Sequence, residues 1–157
     1  MHHPPAEGII SAVSRASGAE EAAQDLARQL LHPHLGFVLF FCSAEYNLRE
    51  LGEALEQGFG GIRLVGCTSA GEITPLGYGR NCVTAVGFDH RHFSIATELI
   101  DEMEHFSLID AQQMVERLVG TCRSNTLAPI KGHSFALTLL DGLSSREEMI
   151  LAALSAA

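Results

Sequence analysis

The chain has 157 residues, 46% of them hydrophobic and 18% charged, with no tryptophan and a net charge of −9. That length builds one ordinary domain with its own core. The acidic balance excludes nucleic acid and an anionic membrane surface as partners, since both need clustered Lys and Arg. The high apolar content predicts surface that is covered by something further, whether another domain, a partner or a second copy in a homo-oligomer.

Residues 1–16 lack the basic start and apolar run of a signal peptide, and no stretch reaches membrane-spanning length. They read as a disordered or loosely ordered N-terminus of a cytoplasmic protein, with the folded domain over 17–157. Cys42, Cys67, Cys82 and Cys122 are widely spaced, three of them in or at the end of apolar strands, and show no CxxC or Cys/His zinc spacing. They read as reduced core residues.

Ser17 is placed to cap a helix with acids in its first turn and Ala22, Ala23, Leu26 and Leu30 on one face, ended by Pro33. His32 and His34 flank that proline, where a helix C-terminus favours a cation, and read as solvated. Gly36 to Cys42 is apolar on both faces, as a strand in the middle of a sheet should be. Asn47 with Glu50 makes a capping-box pattern before Leu48, Leu51, Leu55 and Phe59, and Gly58, Gly60 and Gly61 stop that helix. Ile62 to Gly66 is the next strand, so residues 36–66 form a strand–helix–strand unit with parallel strands.

That strand runs into Cys67-Thr68-Ser69-Ala70-Gly71-Glu72-Ile73, a turn of mostly small residues of the kind that lets a ligand approach the backbone. Residues 74–81 read as a surface loop or lid. Cys82 to Phe88 and Phe93 to Ile100 have strand character, and the short link Asp89-His90-Arg91-His92 predicts an antiparallel hairpin with exposed histidines. Ser107 can cap a helix to about Arg123 with Leu108, Ala111, Val115, Leu118 and Val119 buried. His133 to Leu140 reads as a strand, and Ser144 to Glu147 as a capping box before a last helix with Met149, Ile150, Ala153 and Leu154 inward.

The fold class is therefore α/β, a mixed and mainly parallel sheet flanked by helices, with an antiparallel hairpin. Phe135 to Ala157 repeats the order of Phe37 to Gly58, and a full repeat would continue into another strand and small-residue turn. That predicts a longer, two-half protein. If the parallel-type strands end along one edge, the rim there gathers Cys42, Ser43, Gly66, Cys67, Thr68, Ser69, Ala70, Gly71, Glu72 and Asp141, with Ser144 and Ser145 nearby. Such a rim suits a small polar or anionic group. Cys67 beside small residues is a candidate nucleophile, which would make a thiol-dependent enzyme, and Cys42 with Cys67 could be redox-active or share a metal.

The segment Gly66-Cys67-Thr68-Ser69-Ala70-Gly71-Glu72-Ile73-Thr74-Pro75, preceded by Phe40-Phe41-Cys42-Ser43-Ala44-Glu45-Tyr46, resembles the amino-terminal part of FIST domains, bacterial sensory modules of signal transduction. The resemblance runs from about Gly36 to the last residue. Leu108-Ile109-Asp110-Ala111-Gln112-Gln113 and Gly132-His133-Ser134-Phe135-Ala136-Leu137 are similar to the nitric-oxide-sensing haemoprotein branch of that family. Members of that branch bind haem b and regulate a histidine kinase, so the resemblance implies a sensor rather than an enzyme, with a histidine kinase as partner. Haem needs an apolar slot and an axial ligand. His133 and His105 are the candidates for the iron because each borders a core element. The competing readings are a sensory module for a small metabolite such as an amino acid, without haem, and the thiol-dependent enzyme.

Overall fold

The computed structural model describes residues 7–74, 77–101, 103–141 and 144–157. The chain divides into two compact units, one ending at Phe93 and the other running from Ser94 to Ala157. Each is described by itself.

The first unit is built on a four-stranded sheet. Its elements are β1 (Ile9–Ser14), α1 (Ala19–Leu30), β2 (Leu35–Ser43), α2 (Leu48–Phe59), β3 (Arg63–Ser69), β4 (Glu72–Thr74), β5 (Gly77–Gly79) and β6 (Val83–Asp89). The strand order is β1-β6-β2-β3, and β4 pairs with β5 in a separate antiparallel ribbon. β2 pairs in parallel with β3 and antiparallel with β6, and β6 pairs antiparallel with β1. The α/β class and the mixed sheet hold, with the strand–helix–strand unit over 36–66 as expected. The expectation of a mainly parallel sheet is corrected, because the only parallel pairing in this sheet is β2 with β3. The second neighbour of β2 is β6, which reaches it through the β4–β5 ribbon and not through a helical crossover.

Residues Ile9–Ser14 correct the expectation of a loose N-terminus. They form an edge strand in register with Val83 to Phe88, and Ala12 and Ser14 are buried. The face of the sheet bearing Ala12, Val38, Cys42, Val83 and Ala85 packs into one core with α1 and α2. Leu26, Leu30, Leu51 and Leu55 are fully buried there, each contributing about 1.5–3 kcal/mol of transfer free energy. α1 takes Gly18 as its N-cap without a side-chain bond, so Ser17 is not the cap. Asn47 is the cap of α2: its side chain accepts from the N–H groups of Arg49 and Glu50 and donates to the Glu50 carboxylate at 2.8 Å.

The second unit holds α3 (Leu108–Ser124) and α4 (Glu147–Ala156), which pack on each other. Ser107 caps α3 in a full capping box with Asp110. Arg146 caps α4 without a side-chain bond, so the Ser144 to Glu147 box is not made. The strands expected at 93–100 and 133–140 are absent: both segments are irregular. A strand needs a neighbour for its N–H and C=O groups, and neither segment has a ladder among the described residues. Phe135 and Leu137 are exposed in consequence, at 89% and 61%. The antiparallel hairpin is β4 with β5, whereas the 82–100 hairpin does not form. Among the described residues no helix is long and apolar enough to cross a membrane.

Candidate functional site

The site forms where β2 and β3 end and the chain turns into β4. Gly66 pairs with Phe40 across the parallel ladder, and a Cβ at Gly66 would lie 2.6 Å from the Phe40 ring. Only glycine lets that ring lie over β3. At Gly71 a Cβ would collide with the Tyr78 hydroxyl, so the turn 69–71 and β5 close on each other through missing side chains. Tyr78 donates to the Ala70 carbonyl at 3.4 Å and keeps 63% of its surface exposed.

Glu72 lies under this turn, 3% exposed. One of its carboxylate oxygens accepts the Ser69 hydroxyl at 2.8 Å, and the other accepts the Cys82 thiol at 3.1 Å. Ser69 Oγ in turn accepts the Gly71 N–H at 3.3 Å, which fixes the hydroxyl rotor toward the carboxylate. A buried charge is tolerated when hydrogen bonds reach it, and here a hydroxyl and a thiol do so. The thiol responds to the same contact. Burial, then the Glu72 hydrogen bond and negative charge, push the Cys82 thiol up to about 11.

Tyr46 and Cys42 complete the corner. The Tyr46 hydroxyl donates to the Ala16 carbonyl, and burial followed by the charges of Cys82, Cys42 and Glu72 raises its pKa. Cys42 is raised by burial first and by Cys67 and Glu72 second. The sequence had not pointed to Cys82, Tyr46 or Tyr78 as site residues. The signal for Cys82 was topological: once β6 runs antiparallel beside β2, the start of β6 lies at the end of β2, and the Ser43 N–H bonds the Cys82 carbonyl at 3.1 Å.

Of the expected rim, Cys42, Ser43, Gly66, Cys67, Thr68, Ser69, Ala70, Gly71 and Glu72 do gather in the first unit. Thr68 and Ala70 are exposed, Ser43, Cys67, Ser69 and Gly71 half-buried. Cys42 and Cys67 do not converge. In the parallel register Cys42 pairs with Thr68 while Cys67 pairs with Phe41, so the two side chains point to opposite faces, and the Cys42 thiol meets only the Cys67 carbonyl, at 3.8 Å. All four cysteines are free. Burial raises the Cys67 thiol, which is the reverse of nucleophile activation. Asp141 follows no strand. It is an exposed residue of the second unit, its carbonyl accepting the Ser144 N–H at 3.0 Å.

The two histidines proposed for haem iron lie in the second unit and both are exposed. His133 Nδ1 lies 3.3 Å from the Lys131 carbonyl in an open turn. His105 borders an open cleft of about 310 Å³, walled by Glu98, Asp101, Asp110 and Arg117 as well as Phe106 and Met114. Neither imidazole stands in an enclosed apolar slot: His133 lies in an open turn, and in the open cleft at His105 the apolar Leu99, Ile100, Phe106 and Met114 are interrupted by Asp101, Asp110 and the Glu98–Arg117 ion pair. The described residues therefore do not fit a haem at either position. No group of three metal-binding side chains converges among them either.

No curated protein and no solved structure matches the chain. The model of the FIST N domain matches residues 36–157, from the start of strand β2 through the glycine-lined turn to the end of α4. The chain therefore belongs to the FIST N domain family, a sensory domain of signal transduction.

Proposed function

We propose that the chain senses a small polar molecule at the rim formed by Thr68, Ser69, Ala70 and Tyr78, and passes the binding event inward through Ser69 to Glu72. The observation that carries this reading is the buried Glu72 carboxylate, bonded through Ser69 to an exposed turn of small residues. A ligand that takes the Ser69 hydroxyl as a partner changes the bonding of a buried charge, and so changes the β3–β4 corner. An amino acid or a metabolite of similar size is the ligand class. The domain acts as a binding module, with no catalytic step.

Thermal unfolding of the chain against a panel of amino acids and related metabolites tests this. A ligand that raises the midpoint, and loses its effect in Ser69→Ala and Tyr78→Ala, supports the rim. No stabilising ligand, or one indifferent to both variants, sinks it.

The finer reading implied by the family resemblance is a haem b protein responsive to nitric oxide that regulates a histidine kinase. It comes second because it rests on the segments over 108–113 and 132–137 and not on a slot around His105 or His133. Haem titration separates the two. A stoichiometric Soret band that shifts with nitric oxide and is lost in His105→Ala or His133→Ala would reverse their order.

A further inference from the structure

At the end of the sheet away from this rim, β2 begins and β6 finishes, with Leu35 and Asp89 as register partners. The loop after α1 and the loop after β6 meet there. The His90 N–H donates to the His34 carbonyl at 2.9 Å. Gly36 permits the approach, since a Cβ at that position would lie 2.7 Å from the His90 Cβ.

The result is a pair of imidazoles. The rings of His34 and His90 stand 5.6 Å apart, centre to centre, at 75°. Two imidazoles on one tetrahedral ion, each with its nitrogen about 2.0–2.1 Å from the metal, have ring centres roughly 5 Å apart. The pair stands slightly wider than that, and a rotation of the exposed His90 side chain brings the rings to that separation. His34 is half-buried and its N–H donates to His32 Nδ1 at 3.3 Å, which holds the loop and engages the His32 lone pair. His32, at 6.4 Å from the His34 ring, is therefore left outside the pair. His90 is exposed and opens the position to solvent.

The surroundings carry one helix end and one ion pair on a buried carboxylate. α1 ends at Leu30 with its carbonyl end toward this loop, and the buried Asp89 carboxylate interacts electrostatically with His34. Arg91 bonds both Asp89 oxygens and balances that charge, and its own side chain is more than half exposed.

We propose that His34 and His90 form a two-imidazole site for a divalent transition-metal ion, with water completing its coordination. Imidazole selects Zn2+, Cu2+ and Ni2+ over Mg2+ and Ca2+. Two protein ligands make an exchangeable site, in keeping with the lack of a third converging donor among the described residues. The site is independent of the sensing rim.

Calorimetric titration with Ni2+ alone tests the proposal, in the full chain carrying His2→Ala and His3→Ala to remove the imidazoles near the N-terminus. The expected result is one ion per chain with a micromolar dissociation constant, weakened about tenfold or more by His34→Ala and by His90→Gln, and unchanged by His105→Ala. His90 is exposed, so His90→Gln reads the ligand without loss of packing. Nickel should shift the ring resonances of His34 and His90. Millimolar or absent binding overturns the proposal, as does binding that survives both substitutions.

Discussion

The Cys82 thiol donates to the Glu72 carboxylate across 3.1 Å with both residues buried. A carboxylate in that position depends on its donors, because an unpaired buried acceptor keeps its full desolvation cost. Cys82→Ala removes one of the two and leaves a Glu72 oxygen unsatisfied, which costs about 1–3 kcal/mol. Cys82→Ser supplies a hydroxyl donor of similar size and should recover most of the loss. Urea unfolding of the three proteins measures both effects, and equal stability of the Ala and Ser variants would show that the bond contributes nothing.

The same contact sets how the thiol behaves with pH. The folded chain holds Cys82 at about 11, against 9.0 for a free cysteine. Because the folded value is the higher, the contribution of the protonated thiol to stability is complete below pH 9 and is lost as pH climbs from 9 to 11. Stability should therefore fall across that interval more steeply in the parent than in Cys82→Ser. Alkylation followed by mass spectrometry gives a second reading. Cys82 should resist iodoacetamide near pH 8 in the folded chain and react once urea unfolds it.

How much of this was legible in the sequence depends on whether the signal was local. Asn47 before Leu48 and Ser107 before Leu108 cap their helices as their side chains require, since the partner N–H groups lie within one turn. The parallel pairing of β2 with β3 followed from one connecting helix. The failures concern pairing partners. Phe93 to Ile100 and His133 to Leu140 carry β-prone residues but no ladder, and Ile9–Ser14, with serines at both Ser11 and Ser14, became a strand because β6 offered an edge. The rim was found from Gly66 to Glu72 because small residues mark close backbone approach. Its buried half was missed because Cys82 reaches Glu72 only through the antiparallel placement of β6, which no local pattern encodes.

Two glycines should respond to alanine in opposite directions. At Gly66 a Cβ would collide with the Phe40 carbonyl oxygen and meet the Phe40 ring at 2.6 Å, and the backbone oxygen, held in the β2–β3 ladder, has little room to give. Gly66→Ala should destabilise by about 1–3 kcal/mol or more, as overpacking does. Gly52 lies inside α2 with nothing within 4 Å of the added atom. Gly52→Ala should stabilise by roughly 0.5–1 kcal/mol through helix propensity alone. Thermal midpoints of the two variants against the parent decide this: a Gly66→Ala midpoint at or above that of the parent would contradict the placement of Phe40 over β3, and a lowered Gly52→Ala midpoint would contradict the open space at Gly52.

Asp110 reports the start of α3. Its carboxylate accepts the Ser107 hydroxyl at 2.6 Å and the Ser107 N–H at 2.8 Å, and these bonds hold its carboxyl below the ordinary 3.8. The folded value is the lower one, so the contribution is present above pH 3.8 and is lost as pH falls through the folded value. Asp110 is exposed, so the expected effect on global stability is small, and the site is better read directly. Carboxyl carbon shifts followed by NMR should place the Asp110 midpoint below 3.8 in the parent and move it back toward 3.8 in Ser107→Ala. The same variant loses the hydroxyl acceptor for the Asp110 N–H, 3.3 Å away, so the first turn of α3 should exchange its amide hydrogens faster. An unmoved midpoint with unchanged exchange would mean that the capping box does not hold this helix end in solution.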